Sequence, residues 1–176
     1  EARLEGIDFS YMNLAGAYFG AATLRYARFR RTNLNKAIFK YAKLANARLD
    51  GAIACGADFS ESDLSGTVLA GADFANANLI GADLTYANLT QSKLLGADLR
   101  FAILWYATLQ GLDLSGADLH NALFGWTTLA DSDISMCHGL NSIDHSGPST
   151  IGIDTLYKSG GNIPEAVLQS CGVPDD

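Results

Sequence analysis

The stretch GADFANANLIGADLTYANL, residues 71 to 89, repeats itself every five residues. Its large apolar residues are Phe74, Leu79, Leu84 and Leu89, and an alanine stands two places before each of them. Helices repeat every 3.6 residues and strands every two, so a period of five belongs to neither alone. The stretch therefore predicts a backbone that turns at regular, short intervals.

The same period governs most of the 176-residue chain. From Leu4 to Ile134 every fifth residue is Leu or Phe except Ala54 and Ile134, which gives 25 matches at 27 positions. Two places earlier the residue is Ala, Ser or Thr, apart from Ile7, Met12 and Leu112. Such repeats predict structural units that bury their apolar sides only by stacking on one another.

One unit, ADLTY at 82–86, predicts a short extended piece followed by a corner. Residues two apart in extended chain point the same way, so Ala82 and Leu84 face inward and Asp83 faces solvent. Thr85 and Tyr86 then turn the chain. Glycine is frequent at the place of Tyr86, as expected where a tight corner needs unusual backbone angles.

Four such units close one coil if residues 20 apart lie in register. The sequence supports this, because Tyr86, Tyr106 and Trp126 then share one column, with Tyr26 further along it. A second column holds Asp58, Asn78, Asp98 and Asp118. Successive coils would pair as parallel strands about 4.8 Å apart.

The runs GADFANANLIGADLTYANL and GADLRFAILWYATLQGLDLSGADL resemble the A-(D/N)-L-x-x signature of the pentapeptide-repeat family, over about residues 2 to 136. The resemblance implies an all-β fold, a right-handed quadrilateral β-helix, for residues 1–136. The handedness comes from the resemblance alone. The predicted core is the central column of residues Leu64, Leu69, Phe74, Leu79, Leu84, Leu89, Leu94 and Leu99.

Residues 137–176 predict a loop and two short capping helices. The first helix is expected near residues 151–158, and the second begins at Pro164 and ends at Gly172. Residues 147 to 175 also resemble the linker that precedes TIR domains in bacterial multidomain proteins. That resemblance implies the front part of a larger signalling protein, whereas an uncapped N-terminal coil favours a self-associating rod or homodimer.

Charge is distributed unevenly along a chain of net charge −7. Eight of the twelve cations lie between residues 25 and 48, with no acid among them: Arg25, Arg28, Arg30, Arg31, Lys36, Lys40, Lys43 and Arg48. Two interpretations are open, a solvated surface or a belt that docks an acidic partner, with Arg25, Arg28, Arg30 and Arg31 as candidates. Nucleic acid is an improbable partner, because the overall charge repels phosphate.

Acidic residues beyond the belt suggest an alternative function. Some pentapeptide-repeat proteins, including the quinolone-resistance type, resemble duplex DNA and bind DNA gyrase. Asp58, Asp98 and Asp118 would form part of such an acidic strip. The basic belt interrupts this mimicry of DNA.

Large aromatic residues supply the remaining candidate surface. Tyr86, Trp105, Tyr106 and Trp126 would form an exposed strip on which a partner protein could anchor. The competing interpretation is a ladder of corner residues that only stiffens the rod.

Catalysis has no visible basis in this sequence. His120, His138 and His145 show no metal-ligand spacing with the cysteines, and no nucleophile motif is present. We therefore expect no cofactor and no metal, and a non-catalytic rigid scaffold for protein–protein interaction.

The compartment is predicted from cysteines and hydropathy. Cys55, Cys137 and Cys171 are expected to be free thiols, although a Cys137–Cys171 bridge stays open for an exported protein. No apolar run is long enough for a membrane span and no signal peptide is visible. A cytoplasmic location is expected, with the periplasm and the thylakoid lumen as alternatives.

Overall fold

The five-residue period forms a square coil in the computed structural model, which describes residues 2–173. Outward residues pair in parallel with the residues 20 places on, as Asp63 does with Asp83 and Asp83 with Ile103. Four such ladders, one on each side of the coil, run along the rod. The predicted right-handed quadrilateral β-helix is confirmed.

Most corners are hydrogen-bonded turns. The amide of Ala87 donates to the carbonyl of Leu84 at 2.9 Å, and Tyr86 between them has φ 60°. Positive φ at only the second central residue is the geometry of a type II turn, which favours glycine. Tyr86 and Trp126 (φ 53°) also have positive φ. The stacked coils therefore hold a backbone conformation that is unfavourable for residues other than glycine.

The core is the column of inward Leu and Phe residues with their small neighbours. All eight predicted core residues, Leu64, Leu69, Phe74, Leu79, Leu84, Leu89, Leu94 and Leu99, are at most 1% exposed. Burying each contributes roughly 1.5–3 kcal/mol before conformational entropy is counted. The central column therefore carries most of the stability.

The type of large residue in the core changes along the rod. Near the N-terminus phenylalanine rings stack, Phe19 on Phe39 at 4.9 Å and Phe39 on Phe59 at 4.6 Å. Phe74 meets Phe59 edge-on at 5.4 Å, beside the small Ala54. Beyond Phe74 the inward large residues are leucines apart from Phe124 and Ile134, and an apolar cavity of about 20 Å³ lies inside these later coils.

Leu112 lies at a place that the other units, except those of Ile7 and Met12, give to a small side chain. It is buried, and its amide donates to Oγ of Ser132 at 3.0 Å, where other corners use the carbonyl three residues back. The next amide, of Asp113, reaches the carbonyl of Ser92 only at 3.3 Å. The corner at Ser132 departs from the pattern in the same way, because the amide of Ser132 donates to Oγ1 of Thr155 at 3.3 Å.

The coil continues beyond the end of the sequence period. Five short strands mark its last turns: β1 Thr108–Gln110, β2 Leu123–Phe124, β3 Thr128–Ala130, β4 Asp144–His145 and β5 Thr150–Ile151. β1, β3 and β5 form one parallel sheet, and β2 pairs with β4. The predicted boundary at residue 136 therefore marks the end of the repeat pattern and falls short of the end of the coil.

The pairing offset shows why the sequence pattern ends early. It is 20 residues for Asp118 with His138, 21 for Leu123 with Asp144 and 22 for Thr128 with Thr150. Two inserted residues shift the register, so the last coil no longer follows a five-residue period.

A small helical cap covers the final coil. It contains a 3-10 turn, Leu140–Ser142, and two helices, α1 Ile153–Lys158 and α2 Glu165–Ser170. Ile163 and Val167 are buried against the core, and Leu156 and Leu168 pack on it. No helix within residues 2–173 has the length and apolarity to cross a bilayer.

Candidate functional site

The three aromatic residues of one corner column form a stacked ladder. The rings of Tyr86 and Tyr106 are 4.7 Å apart at 12°, and those of Tyr106 and Trp126 are 5.0 Å apart at 5°. The side chains remain 63%, 40% and 47% exposed, respectively. Both interpretations made from the sequence thus describe the same residues, which stack on one another and also face solvent.

Gly147 lies against the ring at the upper end of this ladder. A Cβ on Gly147 would lie 2.7 Å from Cη2 of Trp126, so the glycine backbone approaches the ring closely. The amide of Trp126 also donates to the carbonyl of Pro148 at 3.1 Å. The segment after β4 therefore fixes the position of the uppermost ring.

Trp105 occupies the first place of the same corner and is half-buried. Its Cδ1 lies 3.2 Å from the position that a Cβ on Gly125 would take, so the missing side chain leaves room for the indole. Its Nε1 is buried and has no hydrogen-bond partner among the described residues. Trp105 therefore packs beside Gly125 and exposes less of its side chain than the sequence suggested.

Two outward residues missed by the sequence analysis enlarge the aromatic surface. Ile103 and Leu123 are half-buried, point away from the core and pair with each other across adjacent coils. We call the outward side chains of one side and its corners the apolar face, comprising Phe101, Ile103, Trp105, Tyr106, Leu123 and Trp126. The signal was available, because Ile103 and Leu123 stand where the column earlier has Asp63 and Asp83.

The basic belt is a separate surface. Arg25, Arg28, Arg30 and Arg31 are all exposed in the second coil. Arg25 shares its corner column with Trp105, four coils away, which is about 19 Å at about 4.8 Å per coil. The structure therefore does not bring the basic and aromatic candidates together.

Aspartates partly neutralise the belt. Arg30 Nε lies 2.6 Å from Asp50 and Arg48 Nε lies 3.2 Å from the same carboxylate, while Arg28 lies 3.6 Å from Asp8. Burial alone would raise the pKa of Asp50, but the hydrogen bond and charge of these arginines hold it below the usual value. The belt is thus less cationic than its sequence suggests.

The outward acids have a structural role that the sequence analysis did not assign. In thirteen units, an outward Asp or Asn accepts a hydrogen bond through Oδ1 from the amide two residues on. In the unit of Asp83 the donor is Thr85, at 2.9 Å. This amide begins the corner, so the carboxylate completes the turn.

The acidic strip proposed from the sequence is built from such turn-forming residues. Asp58 accepts from the amide of Ser60, Asp98 from that of Arg100 and Asp118 from that of His120. Asn78 supplies a neutral residue in the same column and accepts the same kind of bond. Hydrogen bonding in the turns therefore accounts for the Asp and Asn residues of this column without any requirement for negative charge.

Cations also cover the upper part of this strip. The guanidinium of Arg100 binds both carboxylate oxygens of Asp98, at 2.8 and 2.7 Å, and lies 3.9 Å from Asp118. Burial works to raise the pKa of Asp118, but hydrogen bonds from His120 and the charge of Arg100 outweigh it and lower that pKa. The local negative potential is reduced accordingly.

The thiols and histidines are placed for packing. Burial raises the pKa of Cys137 to about 12 and also raises the pKa values of Cys55 and Cys171, which disfavours the reactive thiolate. All three cysteines are unbridged. Within residues 2–173 no group of three His, Cys, Asp or Glu side chains is arranged to hold a metal ion.

His145 takes the place of a core residue. It pairs with the inward Phe124, and their rings meet at 6.1 Å and 71°. Both ring nitrogens are buried without a hydrogen-bond partner among the described residues, and burial lowers the pKa of the imidazole. The imidazole of His145 is therefore the last side chain of one inward column, below the cap.

Solved structures similar to this chain are themselves pentapeptide-repeat proteins. HetL of the cyanobacterium Nostoc, involved in regulating heterocyst differentiation, is 27% identical, with 85% of this chain and 72% of HetL covered and a TM-score of 0.33. A protein from the cyanobacterium Cyanothece is also 27% identical, over 70% of this chain and 84% of that one, with a TM-score of 0.32. QnrB1, a plasmid-mediated fluoroquinolone resistance protein, is 15% identical over 88% and 82%, with a TM-score of 0.44. A search of the curated proteins gave no match.

The family pattern named "Pentapeptide repeats" gives the stronger comparison. It matches eight copies over residues 2–40, 39–69, 57–95 and 92–131. The match ends at residue 131, so the resemblance of residues 147–175 to a linker before TIR domains stays a prediction. With most of the described coil matched in this way, the chain belongs to the pentapeptide-repeat family.

Proposed function

We propose that this protein is a non-catalytic, rigid scaffold that binds a partner protein through its outer surface. The single observation that carries the proposal is the apolar face. Phe101 is 56% exposed and Trp126 is 47% exposed. The core of the rod is filled by other apolar residues, so these two side chains are not needed there. Contiguous apolar surface of this kind marks interaction sites in soluble proteins.

The filled interior supports a binding role over a catalytic one. The cavity near the cap is lined by apolar side chains such as Leu99, Leu109 and Leu119. Catalysis needs polar groups that converge on a substrate, whereas this cavity lies among leucines. The rod instead offers flat sides and corners of fixed spacing.

The cellular context is part of the same proposal. We place the rod in the bacterial cytoplasm, as the front part of a larger signalling protein. The three unbridged thiols support a reducing compartment, and the resemblance of residues 147–175 supports the larger protein. Sequencing the full reading frame tests this, because a TIR domain after Asp176 is the expected result.

Imitation of duplex DNA against a type II topoisomerase is the second candidate. The column of Asp58, Asn78, Asp98 and Asp118 favours it, because these residues pair coil on coil along one side. The ion pair of Arg100 with Asp98 in this column reduces its charge. A gyrase supercoiling assay separates the candidates, and we expect no inhibition or protection by this protein.

Photo-crosslinking tests the scaffold proposal itself. Benzoylphenylalanine in place of Tyr106, in the organism that carries the protein, is expected to capture one defined partner. The same probe in place of Tyr18, which is 75% exposed in the first coil, is the matched control. If probes on all four sides gave only background adducts, the scaffold proposal would be wrong.

A further inference from the structure

We propose that the apolar face binds one amphipathic helix of a partner protein, with cationic side chains flanking the helix's apolar stripe. The inference rests on the proposed scaffold function and adds the chemistry of the partner. Three properties of the face support it: its continuity, its dimensions and its charged borders.

The face is continuous across one side of a single coil, and Leu123 and Trp126 extend it into the next coil, where Asn121 takes the place of Phe101. In the run FAILWY at 101–106 the inward residues are Ala102 and Leu104, and all the outward side chains are apolar or aromatic. Leu123 lies directly above Ile103 in the next coil. On this side the two successive units of Ile103 and Leu123 thus lack the outward Asp or Asn that thirteen other units use to complete the corner.

The dimensions of the face match those of a helix. Residues 102–104 form the extended part of the side, and three residues at about 3.3 Å each give a width of about 10 Å. A helix with its side chains is about 10–12 Å across. Coils about 4.8 Å apart also resemble the spacing of about 5–6 Å between helix residues three or four apart, so the two surfaces interdigitate along the rod.

The borders of the face are acidic. Asp83 pairs with Ile103 from the coil below, and Asp144 pairs with Leu123 from the coil above. One outward column therefore has the order acid, isoleucine, leucine, acid. The nearby cation Arg100 is bound by both oxygens of Asp98. Lys or Arg at the ends of an apolar stripe would meet carboxylates and the faces of aromatic rings.

A second copy of the chain does not fit the same borders. Two copies placed side by side in parallel would bring Asp83 against Asp83, and antiparallel copies would bring Asp83 towards Asp144. Like charges opposed across an interface weaken it. The same acids repel the anionic surface of a membrane, which leaves a cationic protein segment as the fitting partner.

The two tryptophans of the chain provide a direct test, because both belong to the apolar face. The probe is a synthetic 18-residue helical peptide with a leucine stripe flanked by lysines. A peptide with the same stripe flanked by glutamates is its control. Titration of the ¹⁵N-labelled protein is expected to shift both indole N–H signals with the lysine peptide, and to leave them unchanged with the glutamate peptide.

Two substitutions interrupt the centre of the apolar face while restoring the pattern of the repeat. Ile103→Asp with Leu123→Asp returns an outward acceptor to each unit, so the coil is expected to fold. Ile53→Asp, at an outward place that is 47% exposed on another side, is the matched control. We expect the double variant to bind the lysine peptide at least about tenfold more weakly and the control to bind it unchanged.

The inference would be overturned by unchanged affinity in the double variant, by equal binding of the glutamate peptide, or by binding that leaves both indole signals in place. Absence of peptide binding would also overturn it. If crosslinking from Tyr106 still captured a partner in that case, the scaffold function would stand and only the helical, cationic partner would be wrong. Circular dichroism melting of the double variant confirms that loss of binding is not loss of fold.

Discussion

Tyr106 and Trp126 stack with their ring centres 5.0 Å apart and their planes within 5°, and both residues have positive φ. The stack repeats on the other side of Tyr106 with Tyr86. Aromatic pairs contribute about 0.5–1.5 kcal/mol beyond the burial of their surfaces. Part of the ladder's role is therefore to hold corners that are unfavourable for residues other than glycine.

The first prediction concerns this ladder. Trp126→Ala is expected to lower the free energy of unfolding by about 1–2 kcal/mol, because it removes one stacked pair and the contact with Gly147. Urea denaturation measures the change. Tyr26→Ala is the control, since Tyr26 lies on the same corner column with Asn46 and Gly66 between it and the ladder. Equal losses in the two variants would contradict a stabilising stack.

A second prediction tests the inward column. Leu84 is fully buried, and Leu84→Ala is expected to destabilise the protein by about 2–5 kcal/mol through lost burial and a new cavity. Thr85→Ala, one residue further on, is expected to cost less than about 1 kcal/mol. Thermal melting of both variants provides the comparison. Similar melting temperatures would show that Leu84 is not the element that carries the coil.

The third prediction concerns the outward acids. Asp58→Ala is expected to destabilise by about 1 kcal/mol, because the amide of Ser60 loses its acceptor at 2.9 Å. Asp58→Asn keeps that acceptor and is expected to remain close to the wild type in urea denaturation. An asparagine variant as unstable as the alanine variant would mean that the charge, and not the hydrogen bond, matters here.

The fourth prediction concerns pH. Burial lowers the pKa of His145 in the folded protein, whereas the unfolded chain titrates near pH 6.5. Below about pH 6.5 the unfolded state therefore binds a proton that the folded state resists, and stability falls until the lower, folded pKa is passed. Above pH 6.5 the imidazole is neutral in both states and this loss is absent.

His145→Leu should remove that component and fill the inward column above Phe124. We expect a variant that is more stable by about 1 kcal/mol at pH 5.5 and that loses less stability between pH 7.5 and pH 5.5. Urea denaturation at the two pH values is the measurement. Identical pH dependence in wild type and variant would show that another group is responsible.

The fold could be predicted from the sequence because one constraint acts in every unit. A five-residue period with small and large inward residues has few solutions other than a turning coil, and Leu84 and Leu89 are buried as that solution requires. The last coil could not be predicted. Its two extra residues shift the register, and His145 replaces an apolar residue, so neither period nor hydropathy identifies it as coil.

The candidate surface was predictable only in part. The aromatic column follows directly from residues 20 apart. Ile103 and Leu123 stand out in the sequence only when they are compared with Asp63 and Asp83 of the same column. The pairing of Arg100 with Asp98 depends on side-chain conformation, which the spacing of residues does not determine.

Hydrogen bonding at the corners also explains the low isoelectric point of the chain, about 4.8. An aspartate that completes a bend contributes its negative charge whether or not any ligand needs that charge. Rods made of more quintets would grow more anionic in proportion to their length, unless asparagine substituted for aspartate. The acidity of such a molecule is largely a consequence of aspartates that accept hydrogen bonds from backbone amides. Outward positions without aspartate are therefore more informative about molecular recognition.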